Sequence, residues 1–255
     1  MPSDTKFHSC TTGHLHEGTP TGKMKSIRGI QTYYATSANG SARNAIIIFT
    51  DVMGHNFVNA QLVADNFASN GFFTVMPDLF RGDAVTLNRS DSFDLMNWLK
   101  NHPPEQIIPI IKVVMKEMRE VARCQHIFGV GYCIGAKYLL RALQPGVLDA
   151  GFIAHPTHLA HEEILGINGP LSVAAATNDD TFTTHKRHEM EMLLEKTKQP
   201  YQMNLFSGVG HGFAVRGKTK DPHGRFAKER ALSQAVQWFK YFLNMKKHEP
   251  ARASS

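Results

Sequence analysis

A thiol with a glycine two residues to either side stands in mid-chain, in Gly131-Tyr132-Cys133-Ile134-Gly135. Apolar residues lead into it from Gln125, and a helix-like segment runs on to Ala142. That pattern predicts a strand, a sharp turn and a helix, with Cys133 at the tip of the turn. The glycines have a physical reason. A nucleophile on such a turn holds strained backbone angles, and side chains at the flanking positions would collide with the neighbouring strand or helix. The turn also puts the Ile134 N–H at a helix start, where the helix dipole favours developing negative charge.

A thiol nucleophile needs a base to become thiolate, and the base needs an orienting partner. His211 stands between Gly210 and Gly212, just after the last predicted strand. Asp179 and Asp180 follow the predicted strand before it, and spacing alone leaves both open as the acid. An aspartate pair behind a strand is commonly a turn or cap, and a loop histidine commonly only solvated. Three such residues in the order thiol, acid, histidine, each at a strand end, point instead to acyl transfer. An oxyanion site then asks for two backbone N–H groups. Ile134 supplies one, and the loop after Ala45–Thr50 supplies the other, at Val52.

The elements that must carry these residues alternate. Strands are expected at Ile30–Ala35, Ala45–Thr50, Phe72–Met76, Ala150–Ala154, Leu171–Ala176 and Tyr201–Phe206, besides the one before Cys133. Helices are expected at Ala60–Asn70, Asp91–Lys100, Glu105–Arg123, Thr184–Thr197 and Arg225–Leu243. The alternation predicts an α/β class fold, a mostly parallel central sheet with helices on both faces. Ligands of such sheets bind at the carboxyl ends of the strands, where every residue named above falls. Residues 1–25, rich in Gly, Thr, His and Ser, are expected to wrap the surface, and 246–255 to fray as a tail. No repeat or linker divides the chain, so one domain over 1–255 is expected.

Composition narrows the function. The chain has 255 residues, 42% hydrophobic and 20% charged, enough for a sizeable core. Its +6 charge is scattered and no nucleic-acid motif accompanies it, so no nucleic-acid partner is expected. Three cysteines (Cys10, Cys124, Cys133) without regular spacing argue against a disulfide framework. They suit a reducing, cytoplasmic setting. No CxxC or HExxH spacing offers a zinc site among the 14 histidines. The polar N-terminus is no signal or anchor, and no run of about 18 apolar residues exists, so no membrane partner is expected.

Six stretches carry a family resemblance: Cys10–Gly22, Thr50–Asp83, Gly129–Tyr138, Ala154–His158, Ala174–Leu194 and Leu205–Gly217. Together they span nearly the whole chain. In them the sequence resembles the dienelactone hydrolase family of α/β-hydrolase fold, and its fungal cytosolic branch most. The resemblance implies a Cys-Asp-His triad hydrolysing lactones, esters or related acyl compounds without a cofactor. The family's acid closes an A-x-x-D run three residues before an apolar residue. Ala176-Thr177-Asn178-Asp179 with Phe182 fits, so the resemblance selects Asp179 over Asp180. Bacterial members place a glutamate beside the thiol, gating its ionisation, where this chain has Asp51. They hold the substrate carboxylate with arginines, whose counterparts here are Arg81 and Arg216, each shifted by one position.

The expected function is hydrolysis of a small lactone or ester through an acyl-cysteine, by a monomer or homodimer. Acyl or thioester transfer in secondary metabolism is the neighbouring alternative. A non-catalytic binding or redox protein is the alternative of another class. Its best support, a dinucleotide loop begun by Gly129-Val130-Gly131, requires glycine where Ile134 stands.

Overall fold

The computed structural model describes residues 9–90, 92–143 and 147–248. Its strands are β1 (Lys23–Ile27), β2 (Ile30–Ala35), β3 (Asn44–Phe49), β4 (Phe73–Pro77), β5 (His126–Tyr132), β6 (Gly151–Ala154), β7 (Leu171–Asn178) and β8 (Tyr201–Gly210). Its helices are α1 (Val58–Ser69), α2 (Leu95–Asn101), α3 (Pro104–Glu120), α4 (Gly135–Ala142), α5 (His161–Leu165), α6 (Thr184–Thr197), α7 (Phe213–Arg216) and α8 (Pro222–His248). The strands make one sheet in the order β1-β2-β4-β3-β5-β6-β7-β8. The pairs β1/β2 and β2/β4 are antiparallel and the rest parallel, as the alternation predicts.

The central strands read as unbroken apolar runs because both their faces are covered. In β3, Ala45, Ile47 and Phe49 enter a core on one side, built with α2 to α6. Ile46 and Ile48 enter a second core on the other side, built with α1, α7 and α8. A strand with one wet face would alternate; this one cannot. β5 and β7 divide in the same way, with Ile127 and Val173 on one side and Phe128 and Ala174 on the other. The site therefore rests on strands fixed from both faces.

Five differences separate the structure from the sequence expectations. The sequence places residues 1–25 on the surface, but Lys23–Ser26 begin a strand and Cys10, Thr11 and His16 are buried. Residues 1–8 of that segment lie outside the described residues. The last strand does not stop at Phe206. It runs to Gly210, because β7 pairs with it past a bulge, Asn178 opposite Gly210. The short helices α5 and α7 follow strands where the sequence suggests loop. The expected helix at Asp91–Lys100 starts at Leu95, capped by the Asp94 side chain, while Asp91 lies outside the described residues. α8 reaches His248, and 249–255 are again outside them.

Candidate active site

The elbow is built by close approach. A Cβ on Gly131 would stand 2.8 Å from Ala136 Cα, and one on Gly135 would stand 2.0 Å from the Phe49 carbonyl oxygen. Only hydrogen fits where α4 starts against the end of β3, so the G-x-C-x-G spacing follows from packing. Cys133 itself is held at φ 53, the left-handed region a side chain normally avoids. Three bonds hold it there: its N–H donates to Ala154 O at 3.3 Å, and its carbonyl accepts from the N–H groups of Ala136 at 3.2 Å and Thr157 at 3.3 Å. These partners fix a backbone conformation that would otherwise be disfavoured.

Three side chains then meet in line. His211 Nε2 is 3.1 Å from Cys133 Sγ. His211 Nδ1 is 2.9 and 3.1 Å from the two carboxylate oxygens of Asp179. Asp179 Oδ1 also accepts from the N–H groups of Thr181 and Phe182, each at 2.9 Å, and from the Thr181 hydroxyl at 2.8 Å. Asp180 is exposed and points elsewhere, accepting from Ser9 Oγ at 2.6 Å. The structure thus brings Cys133, His211 and Asp179 together and leaves Asp180 outside. Val52 and Ile134 lie in the same core as Cys133, at the ends of the adjacent strands β3 and β5. Neither backbone N–H donates to an acceptor among the described residues.

The electrostatics follow from burial and contact. Burial would raise the Asp179 pKa, but the hydrogen bond and charge of His211 and the Phe182 and Thr181 donors outweigh it. The carboxyl is held well below its ordinary range. For His211, burial opposes the charged form, while Cys133 and Asp179 favour it and lift the imidazole to about 9. For Cys133, burial and the neighbouring Cys10 thiol raise the pKa and His211 lowers it; the balance lies well above the ordinary thiol value. Cys133 and His211 share one proton, so Cys133 lifts the imidazole only while the sulfur is charged. Burial and Cys10 act on the thiol whatever the charge of the imidazole. Burial favours the proton on sulfur, and the aspartate fixes the ring so that Nε2 faces it.

Three further residues crowd the site. Cys10, 1% exposed, lies 3.6 Å from His211 Nε2 and 3.8 Å from Cys133 Sγ. His155, fully buried, packs its ring edge-on to His211 with centroids 5.1 Å apart, and neither ring nitrogen finds a partner among the described residues. Burial, then the charges of His211 and Arg216, lower its pKa well below the usual value, so it stands as a neutral wedge. Thr181 bridges Asp179 and His211 Nδ1. Of the three, His155 carried a sequence signal, its place at the end of β6. Cys10 carried none, since its neighbours are polar and aperiodic.

The remaining predicted residues take two different places. Arg216 is 1% exposed and ion-paired to Asp51, equally buried. Its other N–H groups donate to the carbonyls of Ser9, Cys10 and Thr12 at 3.1, 3.0 and 2.8 Å. Asp51 also accepts from the Met53 N–H at 3.0 Å. Arg81 is exposed on the loop after β4, at φ 52. Beside Cys133, His211 and Asp179, the residues Pro156, Thr157, His158, Thr181 and Phe182 help line a pocket of about 130 Å³.

The model of the dienelactone hydrolase family matches residues 30–243. The chain is 47% identical over 243 residues to Hydrolase pyvD of Aspergillus violaceofuscus, covering 95% of this chain and 99% of that one. It is 44% identical over 245 residues to Hydrolase tropI of Talaromyces stipitatus, covering 93% and 96%. The carboxymethylenebutenolidase homolog of Homo sapiens is 25% identical over 241 residues, covering 92% and 96%. Among solved structures, the dienelactone hydrolase-like promiscuous phosphotriesterase P91 from metagenomic libraries superposes with a TM-score of 0.70 at 15% identity. The match covers 88% of this chain and 98% of that one, and at that identity it is a likeness of fold.

Proposed function

The chain belongs to the dienelactone hydrolase family, and on that premise we propose that it hydrolyses small lactones or activated esters through an acyl-cysteine. The observation that carries the reading is the continuous line Asp179–His211–Cys133, with contacts of 2.9 and 3.1 Å. Asp179 holds Nδ1–H, so Nε2 accepts the Cys133 proton as the sulfur attacks the carbonyl carbon. The carbonyl electrons move to oxygen, and the N–H groups of Val52 and Ile134 receive the oxyanion. Each donor lowers the barrier by about 3–4 kcal/mol. The tetrahedral adduct collapses, and the leaving alkoxide or enolate takes the proton from Nε2. Water, deprotonated by His211, then attacks the thioester and releases the carboxylic acid and the Cys133 thiol.

A thiol held protonated at rest suits this sequence of events. It is spared side reactions until a carbonyl arrives, and the thiolate is a poor nucleophile for amides but adequate for an enol-lactone with a good leaving group. Of the two arginines, Arg81 is the proposed contact for a substrate carboxylate, because its side chain is exposed. Arg216 and Asp51 are proposed to act through the segment they hold.

Turnover of dienelactone and of p-nitrophenyl acetate by wild type, Cys133→Ala and His211→Ala tests the proposal. Wild type should hydrolyse at least one of them and both variants should lose at least about a thousandfold in kcat/KM, the scale seen when a triad member is removed. Equal turnover by wild type and Cys133→Ala would overturn it.

A further inference from the structure

Cys10, Cys133 and His211 offer two sulfurs and a nitrogen within 4.8 Å of one another. The edges of that triangle are 3.8 Å between sulfurs, and 3.6 and 3.1 Å from Nε2 to the sulfurs of Cys10 and Cys133. A zinc ion holds thiolate sulfur at about 2.3 Å and imidazole nitrogen at about 2.0–2.1 Å in tetrahedral geometry. Three such ligands stand about 3.8 Å apart sulfur to sulfur and about 3.5 Å sulfur to nitrogen, by the same geometry. Two of the three edges already match. The third must open by roughly 0.4 Å, within reach of side-chain rotation about Cys133.

The surroundings of this triangle are also those of a metal site. The nitrogen that would not bind metal, His211 Nδ1, is held by Asp179. That carboxylate–histidine arrangement orients metal-binding imidazoles generally. Cys10 is not a loose thiol that happens to lie near. Its carbonyl is tied to Arg216, which is tied in turn to Asp51 on the loop after β3. Two sulfurs and an imidazole select a soft or borderline cation and reject magnesium and calcium.

We propose that Cys10, Cys133 and His211 form a binding site for a thiophilic divalent cation of the zinc type. On binding, two thiol protons leave, two S–M bonds and one N–M bond form, and the net charge of the site is unchanged. One coordination position stays open for water. If the thiol mechanism above holds, metal and acyl transfer exclude each other. The ion takes the sulfur electron pair that attacks and the nitrogen that accepts the proton, so zinc acts as a reversible inhibitor. That exclusion rests on the proposed function; the site itself does not.

The test uses the full chain, kept reduced and stripped of metal, titrated with Co²⁺ and then Zn²⁺. Wild type should show a thiolate-to-cobalt charge-transfer band with the visible bands of tetrahedral cobalt, release two protons per ion, and lose the bands to zinc. Cys10→Ala should weaken zinc binding by more than the roughly 10–100-fold typical of losing an outer partner of a ligand. Cys124→Ala, before the amino end of β5 and so at the opposite end of that strand from Cys133, should bind as wild type does. Absence of the charge-transfer band, or a Cys10→Ala protein with wild-type zinc affinity, overturns the site. Should Cys10→Ala not fold, zinc protection of wild type against iodoacetamide decides. Protection of the Cys10 and Cys133 peptides together supports the site, and protection of neither refutes it. Ester turnover measured in parallel separates the two claims. Cobalt bands without turnover would sink the proposed function and leave the site standing. Turnover unaffected by saturating zinc, with the bands present, would sink the exclusion.

Discussion

Asp179 and Asp180 are neighbours in sequence with opposite environments. Asp179 is buried and accepts from four donors, His211 among them; Asp180 faces solvent beside Ser9. Asp179→Asn should therefore cost on the order of 10⁴ in kcat, because the amide holds the wrong imidazole tautomer. Asp180→Asn should stay within about threefold, as a surface change does. Steady-state kinetics of the two variants check this, and the reverse ranking would reassign the acid. Cys133 also makes a pH prediction. Its pKa is raised, chiefly by burial and then by Cys10, so the protonated form prevails at neutral pH. Its alkylation by iodoacetamide, read by mass spectrometry on the Cys133 peptide without substrate, should keep climbing as pH passes 9. A plateau reached below pH 7 would mean a resting thiolate instead. The motif around Cys133 was legible because packing dictates its glycines. Cys10 was not, since its contacts with Cys133 and His211 span 123 and 201 residues and leave no local pattern.

At the scale of elements, the N-terminal segment is laced to the site by two buried polar side chains. Arg216, the last residue of α7, takes three of the segment's carbonyls. Asn59, near the start of α1, donates to His14 O at 2.8 Å and accepts from His16 N–H at 2.8 Å. A segment without its own secondary structure stays buried only if such partners satisfy its backbone. Arg216→Met would leave the Asp51 carboxylate buried and unpaired, at a cost of about 3–5 kcal/mol. Thermal unfolding should then fall by on the order of 10 °C. The double variant Asp51→Asn/Arg216→Met should regain part of that loss; a double variant less stable than Arg216→Met would refute a paired role. The family resemblance points to Arg216 as an arginine facing substrate; its burial leaves no mark in the sequence because its partners, Asp51 and backbone carbonyls, lie so far away. Helices such as Thr184–Thr197 and strands such as Ile30–Ala35 have the predicted bounds, since periodicity and end signals are local. β8 outruns its prediction because the turn-forming run Ser207–Gly210 is held extended by β7, a partner that only the sheet supplies.

Over the whole molecule, the sheet buried on both faces brings four strand ends to one edge. β3, β5, β7 and β8 deliver the Asp51–Val52 loop, Cys133, Asp179 and His211 in turn. Their relative positions are thus set by parallel register and two cores, not by the loops themselves. Among the described residues no helix is long and apolar enough to cross a membrane. The fold class was legible because doubly buried strands write continuous apolar runs, and the order of reactive residues followed from it. What closes over that edge was not legible, since it depends on long-range lacing by polar side chains. The covalent step on Cys133 is what sets this chemistry apart from simple binding. Rapid quench of the wild-type protein with p-nitrophenyl acetate, followed by acid denaturation and peptide mass spectrometry, should find one acetyl group on the Cys133 peptide, absent in Cys133→Ala. Turnover with no acyl group on that peptide, or with the group on Cys10 instead, would contradict it.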